Sequence, residues 1–145
     1  AAVAAWLERR RTVTTEVHVA PPRYRTVAIH ATLHAMEGED REALGVSARN
    51  ALDTFLHPLH GGPGGHGWPI GRDVYRAEVM ECLAALPGVA SVSGLGLLGE
   101  EDAEPRCGNF PVCPDGLPAA GAHDIRVVGL APFPIIDRSR IHECP

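Results

Sequence analysis

The chain has 145 residues, 45% of them hydrophobic and 21% charged, which suits one globular domain with a core of its own. Its net charge of -5 and pI near 5.9 argue against sequence-independent nucleic-acid binding, which needs a basic surface. No apolar run is long enough to span a bilayer, and the start, AAVAAWLERRRT, puts its basic residues after the apolar ones, the wrong order for a signal peptide.

Residues 1–12 read as a helix-prone lead-in with a basic end. Val13, Thr15, Val17 and Val19 then alternate at the strand period, until Pro21-Pro22 breaks the run. A second strand follows, with Val27, Ile29, Ala31 and Leu33 on one side and His30, Thr32 and His34 on the other, the wet face of an antiparallel sheet. Gly38 and Glu39-Asp40 mark a turn and a helix start, with acid at the positive end of the dipole. Leu44, Ala48, Ala51, Leu52 and Phe55 recur at helical spacing through Leu56, and Pro58 forbids further helix. A second helix is expected from about Asp73 to Leu86, with Val74, Tyr75, Val79, Cys82, Leu83 and Leu86 as its stripe and Pro87-Gly88 as its stop. Val89 to Leu98 reads as a strand diluted by Gly94 and Gly96. Residues 99–121, rich in Pro, Gly and acid, have no period and read as an inserted loop. His123 to Leu130 holds a last strand, with Ile125 and Val127 on one face. Residues 131–145 read as an extended tail that orders on a partner.

The resulting order, β-β-α-loop-α-β-β, has two helices that are each apolar on one face. It predicts an α+β fold over residues 13–130: a two-layer sandwich, mainly antiparallel sheet, with both helices on one face.

The segment FLHPLHGGPGGHGWPIGRDVY, Phe55 to Tyr75, is the most informative stretch. Gly61, Gly62, Gly64, Gly65 and Gly67 allow sharp turns, and Trp68 is the only bulky apolar residue between Leu59 and Ile70. Trp68 either packs into the core between the helices or anchors a neighbouring subunit; the first is favoured, because a glycine-rich loop needs an internal anchor to hold a shape. A phosphate-binding P-loop is a mismatch, since no Lys and Ser/Thr follow the glycines, and a dinucleotide turn would follow a strand. His57, His60 and His66 flank the loop, and His30 and His34 share a strand face. As metal ligands they lack a carboxylate or cysteine at ligand spacing, so solvated histidines are the simpler reading.

Of the four cysteines, Cys82 reads as a small buried hydrophobe on a helix. Cys107 and Cys113 bracket CGNFPVC, and Cys144 lies in the tail; with His123 and His142 they form a weak zinc pattern, lacking any C-x2-C pair. Free thiols are expected, and Cys107 and Cys113 should be dispensable for folding. There is no GxSxG, no HExxH and no justified triad, so no catalytic residue and no cofactor is expected.

The stretch FLHPLHGGPGGHGWPIGRDVYRAEVMECLAALPGVASV resembles the C-terminal region of the baseplate J-like proteins, a family described as baseplate assembly proteins. The resemblance is carried by Phe55, Leu56, Pro58, Leu59, Gly61, Gly62, Gly67, Trp68, Pro69, Gly71, Arg72, Val74, Tyr75, Glu78, Pro87, Gly88 and Val89. It extends to the entry strand Pro22 to Val27 and to the closing stretch Gly116 to Ile125. Ile70 stands where an aromatic is usual, and Glu100 to Cys113 has no counterpart. The resemblance implies a structural wedge component of a contractile phage tail or phage-tail-like injection system, assembled in a bacterial cytoplasm into a particle that can be released. Its implied partners are other wedge and hub subunits and sheath-proximal proteins, in a homo- or hetero-oligomer, with no nucleic acid and no membrane span. Pro58, Gly61, Gly62, Gly67, Trp68, Pro69, Gly71, Arg72 and Tyr75 are then its structural or interface loop. The competing expectation is a small metal-binding or hydrolytic domain using the His and Cys residues named above.

Overall fold

The structure, a computed structural model, describes residues 2–129. Its elements are α1 (Ala2–Glu8), β1 (Arg23–Ala35), α2 (Arg41–Phe55), α3 (Arg76–Ala84), β2 (Val89–Gly99), β3 (Gly116–Ala120) and β4 (Asp124–Gly129). They form an α+β sandwich: one four-stranded sheet with α2 over β4 and α3 over β2. No helix among the described residues is long and apolar enough to cross a membrane. The expected tail, 131–145, lies outside the described residues.

The strand β1 is the axis of the fold. Its alternation puts Val27, Ile29, Ala31, Leu33 and Ala35 under the helices, all buried, and leaves His30, Thr32 and His34 on the other face. One edge of β1 pairs antiparallel with β2, across a bulge where Gly94 takes φ 59°. The other edge is shared end to end: Arg23–Val27 pair in parallel with β3, and His30–Ala35 pair in parallel with β4. The sheet is therefore mixed, not mainly antiparallel, because β3 and β4 run along β1 in its own direction.

The expected strand at Val13 to Val19 does not form; those residues have no ladder, and Val13 is 97% exposed. The reason is topological. Both edges of β1 are already taken, so an alternating segment there has nothing to pair with. The order of the chain is accordingly α-β-α-α-β-β-β.

α2 begins where its cap predicts. Asp40 Oδ1 accepts from the Glu42 and Ala43 N–H groups at 2.9 and 3.2 Å, satisfying two orphan donors. α3 is shorter than the periodicity suggests. Val74 is buried but bridged to Phe110, and Tyr75 is the N-cap, so neither belongs to the helical stripe. The Arg76 N–H instead donates to Asn109 Oδ1 at 3.1 Å, a cap supplied from 33 residues away.

Residues 99–121 are not a detached insertion. They contain β3, two bridges (Val74 with Phe110, Leu97 with Arg106), and three core residues, Phe110, Val112 and Leu117.

Candidate functional site

The loop after α2 is built on the helix end. Gly61 N donates to His57 O at 2.8 Å, Gly62 N to Phe55 O at 2.7 Å, Gly67 N to Gly61 O at 2.9 Å and Trp68 N to Pro58 O at 3.0 Å. The chain thus doubles back onto Pro58 within ten residues. Two glycines make this possible. At Gly61 a Cβ would lie 2.2 Å from Phe55 O and 2.5 Å from Thr54 O, both rigid backbone. Gly67 holds φ 99°, the left-handed region that glycine tolerates without a Cβ clash.

Of the two places open to Trp68, the structure shows the internal one. It is 5% exposed and joins the core. Its ring meets Phe55 edge-on at 5.5 Å, and its indole N–H donates to Phe55 O at 2.9 Å. The polar end of the indole is thus satisfied within the core. Arg72 then spans the aromatic pair outside. Its guanidinium sits 4.9 Å from the Tyr75 ring centroid and 5.5 Å from that of Trp68. It also makes two hydrogen bonds to the Glu78 carboxylate, at 2.9 and 2.6 Å, which raise its pKa further. Gly71 N donates to Gly116 O at 2.9 Å, joining the loop to the start of β3.

The loop therefore uses Pro58, Gly61, Gly62, Gly67, Trp68, Gly71 and Arg72 to make its own shape. Tyr75, at 42% exposed, and Pro69 stay outside. Two further residues of the loop are exposed. Leu59 and Ile70 are 64% and 65% exposed. In the sequence Leu59 counts only toward the family resemblance and Ile70 only as a departure from it.

The histidines and cysteines do not converge. No group of three or more His, Cys, Asp or Glu among the described residues is placed to hold a metal. His57 Nδ1 accepts from the Leu59 and His60 N–H groups, both at 3.2 Å, so its ring proton is on Nε2. His57 and His60 stack at 5.0 Å. On the open sheet face, His34 Nε2 contacts Ser93 Oγ at 2.9 Å, and His30 Nδ1 lies 3.5 Å from Asp124. His142 lies outside the described residues.

Cys107 and Cys113 do not both remain free thiols. Cys107 is disulfide-bonded, whereas Cys82 and Cys113 are free, so the short C-x5-C spacing did not identify a pair. Cys113 Sγ faces Gly116, 3.0 Å from where a Cβ would be. The Cys82 thiol is half-buried, and burial pushes its pKa up, away from nucleophilic reactivity.

His123 has a structural position that sequence spacing could not reveal. It sits where β1 changes partner from β3 to β4. Val27 pairs with Ala120 and His30 with Asp124, which leaves the Ile29 N–H without a strand carbonyl. His123 Nδ1 accepts that N–H at 3.0 Å, standing in for the missing acceptor. The side chain is 1% exposed, and Nε2 has no hydrogen-bond partner. Asp53 Oδ1 lies 3.4 Å away, near enough to favour the cation, but burial dominates and holds the imidazole pKa below its usual value.

The class defined by this geometry is an α+β sandwich whose most elaborately built feature is a closed loop with an aliphatic and aromatic surface. No protein-family model and no curated protein matches the chain. The likeness to the baseplate J-like family rests on the residues quoted for it above.

Proposed function

We propose that this chain is a structural wedge component of a contractile phage tail or a phage-tail-like injection system, acting through protein interfaces and not as a catalyst. The supporting observation is the loop from Pro58 to Tyr75. The residues that carry the resemblance include those with a steric or packing role here: Gly61 against the α2 carbonyls, Trp68 in the core, and Arg72 on Glu78. With Trp68 committed to the core, partner contact falls to the exposed Leu59, Ile70 and Tyr75. Three large exposed apolar side chains on and beside a self-closed loop are of the kind from which protein interfaces draw their energy.

The test is a Leu59→Ser, Ile70→Ser, Tyr75→Ser variant expressed in the producing cell. The expected result is an unchanged denaturant midpoint with loss of the subunit from purified contractile particles. Particles that assemble normally without the wild-type subunit would overturn the proposal. Stoichiometric zinc in the purified protein would favour a metal-binding domain instead.

A further inference from the structure

The sheet ends at β4. Its inner edge pairs with β1, and no described strand takes its outer edge. Three arginines surround that edge. Arg41 and Arg49 project from α2 and, with Gly45, Ile125 and Val127, line an open groove along it. Arg41 packs on the backbone at Gly129, where a Cβ would come within 2.7 Å of its Nη2. Arg49 lies over Gly45, 3.7 Å from such a Cβ. Arg126 is exposed on β4 and, by the strand alternation with buried Ile125, belongs to the opposite, open face.

These three are unlike the other arginines. Arg11, Arg23, Arg72 and Arg106 are ion-paired. Arg9, Arg10 and Arg76 donate to carbonyls, and Arg25 sits by the Phe110 ring. Among the described arginines, Arg41, Arg49 and Arg126 alone make no side-chain hydrogen bond, ion pair or ring contact. The carboxylates nearby are Glu42, in the same groove, and Asp124, beside His30. In a chain of net charge -5, unpaired positive charge is gathered at the outer edge of β4, which no described strand takes.

We propose that the outer edge of β4 is a docking site for an extended, acidic segment of a partner protein, which adds to the sheet as a further strand. An open edge presents a row of unpaired N–H and C=O groups, a template for strand addition. An added strand would lie about 4.8 Å from β4 and send successive side chains to opposite faces. Acidic residues on one face would meet Arg41 and Arg49, and those on the other would meet Arg126. The inference goes beyond the assembly reading and does not depend on it, because it concerns the opposite side of α2 from the Trp68 loop.

The test uses the full chain and a capped heptapeptide, Val-Glu-Glu-Val-Glu-Glu-Val, which places glutamates on both faces of a strand. Its counterpart with lysine for glutamate is the control. Amide NMR and hydrogen exchange follow residues 124–129. The acidic peptide should shift and protect β4 amides, weaken with added salt, and lose at least about tenfold in affinity on Arg41→Ala, Arg49→Ala, Arg126→Ala substitution. Arg126→Ala alone, which removes no packed contact, keeps the test valid if the triple variant does not fold; it should weaken binding severalfold. Binding away from β4, equal binding of the lysine peptide, or binding unchanged by Arg126→Ala overturns the proposal. So does an edge whose outward amides are already protected in the free chain, or a dimer joined through it, since the edge is then filled by the chain itself or by a second copy. If the arginines only guard the edge against pairing, the wild type ignores the acidic peptide and the triple variant self-associates, which also overturns it.

Discussion

Residues 56–75 and residues 100–115 are both irregular, both lie beside periodic elements, and each sends one aromatic ring into the core. Trp68 is 5% exposed and Phe110 is 1% exposed. They are closed in different ways. The first loop closes on itself, through backbone bonds among Phe55, His57, Pro58, Gly61 and Trp68. The second closes on distant partners: Phe110 exchanges two backbone bonds with Val74 at 2.9 and 3.0 Å, and Arg106 does the same with Leu97. The two regions are also fastened together, since Val112 N donates to Asp73 Oδ1 at 2.8 Å. A self-closed loop can offer its outer side to a partner with little reorganisation. The second loop is instead part of how the domain holds its core.

The comparison is tested most severely at Gly61. A Cβ there has only backbone to push against, so Gly61→Ala should cost more than about 4 kcal/mol or abolish folding, read from the denaturant midpoint. Gly64 lies in the same loop with nothing nearer than His66 Cδ2 at 3.8 Å and no positive φ. Gly64→Ala should be neutral or stabilising, within about 1 kcal/mol, by restricting the unfolded chain. Equal effects at both positions would mean the loop is not closed as described.

Next in size are the two anchors. Trp68→Ala and Phe110→Ala should each cost about 3–5 kcal/mol, as for large aromatic residues in cores. Their consequences should diverge in hydrogen exchange. Trp68→Ala should free the amides of Gly61, Gly62 and Gly67, which are closed locally. Phe110→Ala should free Val74 and the N-terminus of α3, where Asn109 caps Arg76. Loss of protection in the same set of amides for both variants would erase the distinction between the loops.

What the sequence made legible follows the same division. The buried face of β1, the span of α2 and the shape-forming loop rest on period, cap and turn chemistry, all local signals. The role of 99–121 was hidden because it depends on pairing across the fold. Gly116 to Ala120 has no strand-like alternation and includes Pro118, yet it is held in parallel register on Arg23 to Val27. Phe110 did carry a usable hint, a single aromatic amid Gly and Pro, the same pattern that marked Trp68. His123 carried none, because no periodicity announces a ring nitrogen replacing a backbone carbonyl. The exposure of Leu59 and Ile70 has no signal in the sequence, because single surface aliphatics are ordinary.

The seam at His123 gives a pH dependence smaller than the anchor effects. Burial depresses its folded pKa below the unfolded value of about 6.5. The unfolded chain therefore binds the proton more readily. The stability contribution is full above the unfolded pKa and is lost as pH falls from there through the folded pKa. Wild type should lose midpoint on acidification from pH 7, and His123→Gln should flatten that slope. Asp102 acts in a separate window. Its hydrogen bonds from Arg106 and then from the Gly99 N–H lower its pKa to about 2, so its contribution is lost only as pH falls below the ordinary carboxylate value. A slope above pH 5 that survives His123→Gln would place the titrating group elsewhere.

The smallest expected effect is at the segment that looked like a strand and is not. Val13, Thr15, Val17 and Val19 alternate as cleanly as β1 does, yet Val13 and Val19 are 97% and 50% exposed. Alternation supplies a face but no partner, and a strand gains its stability from the ladder and the cross-strand pairs it forms. With β2 on one side of β1 and β3 and β4 on the other, no edge of that strand remains for this segment. Val13→Thr and Val19→Thr should each change the midpoint by no more than about 0.5 kcal/mol, as for surface substitutions away from packed features. The same change at Val27, which is fully buried on β1, places a hydroxyl in the core and should cost several times more. The contrast can be read from three single variants under one set of conditions. A large loss at Val13 or Val19 would show that the segment packs in the native state, and the topological reason given for its failure to pair would then be wrong.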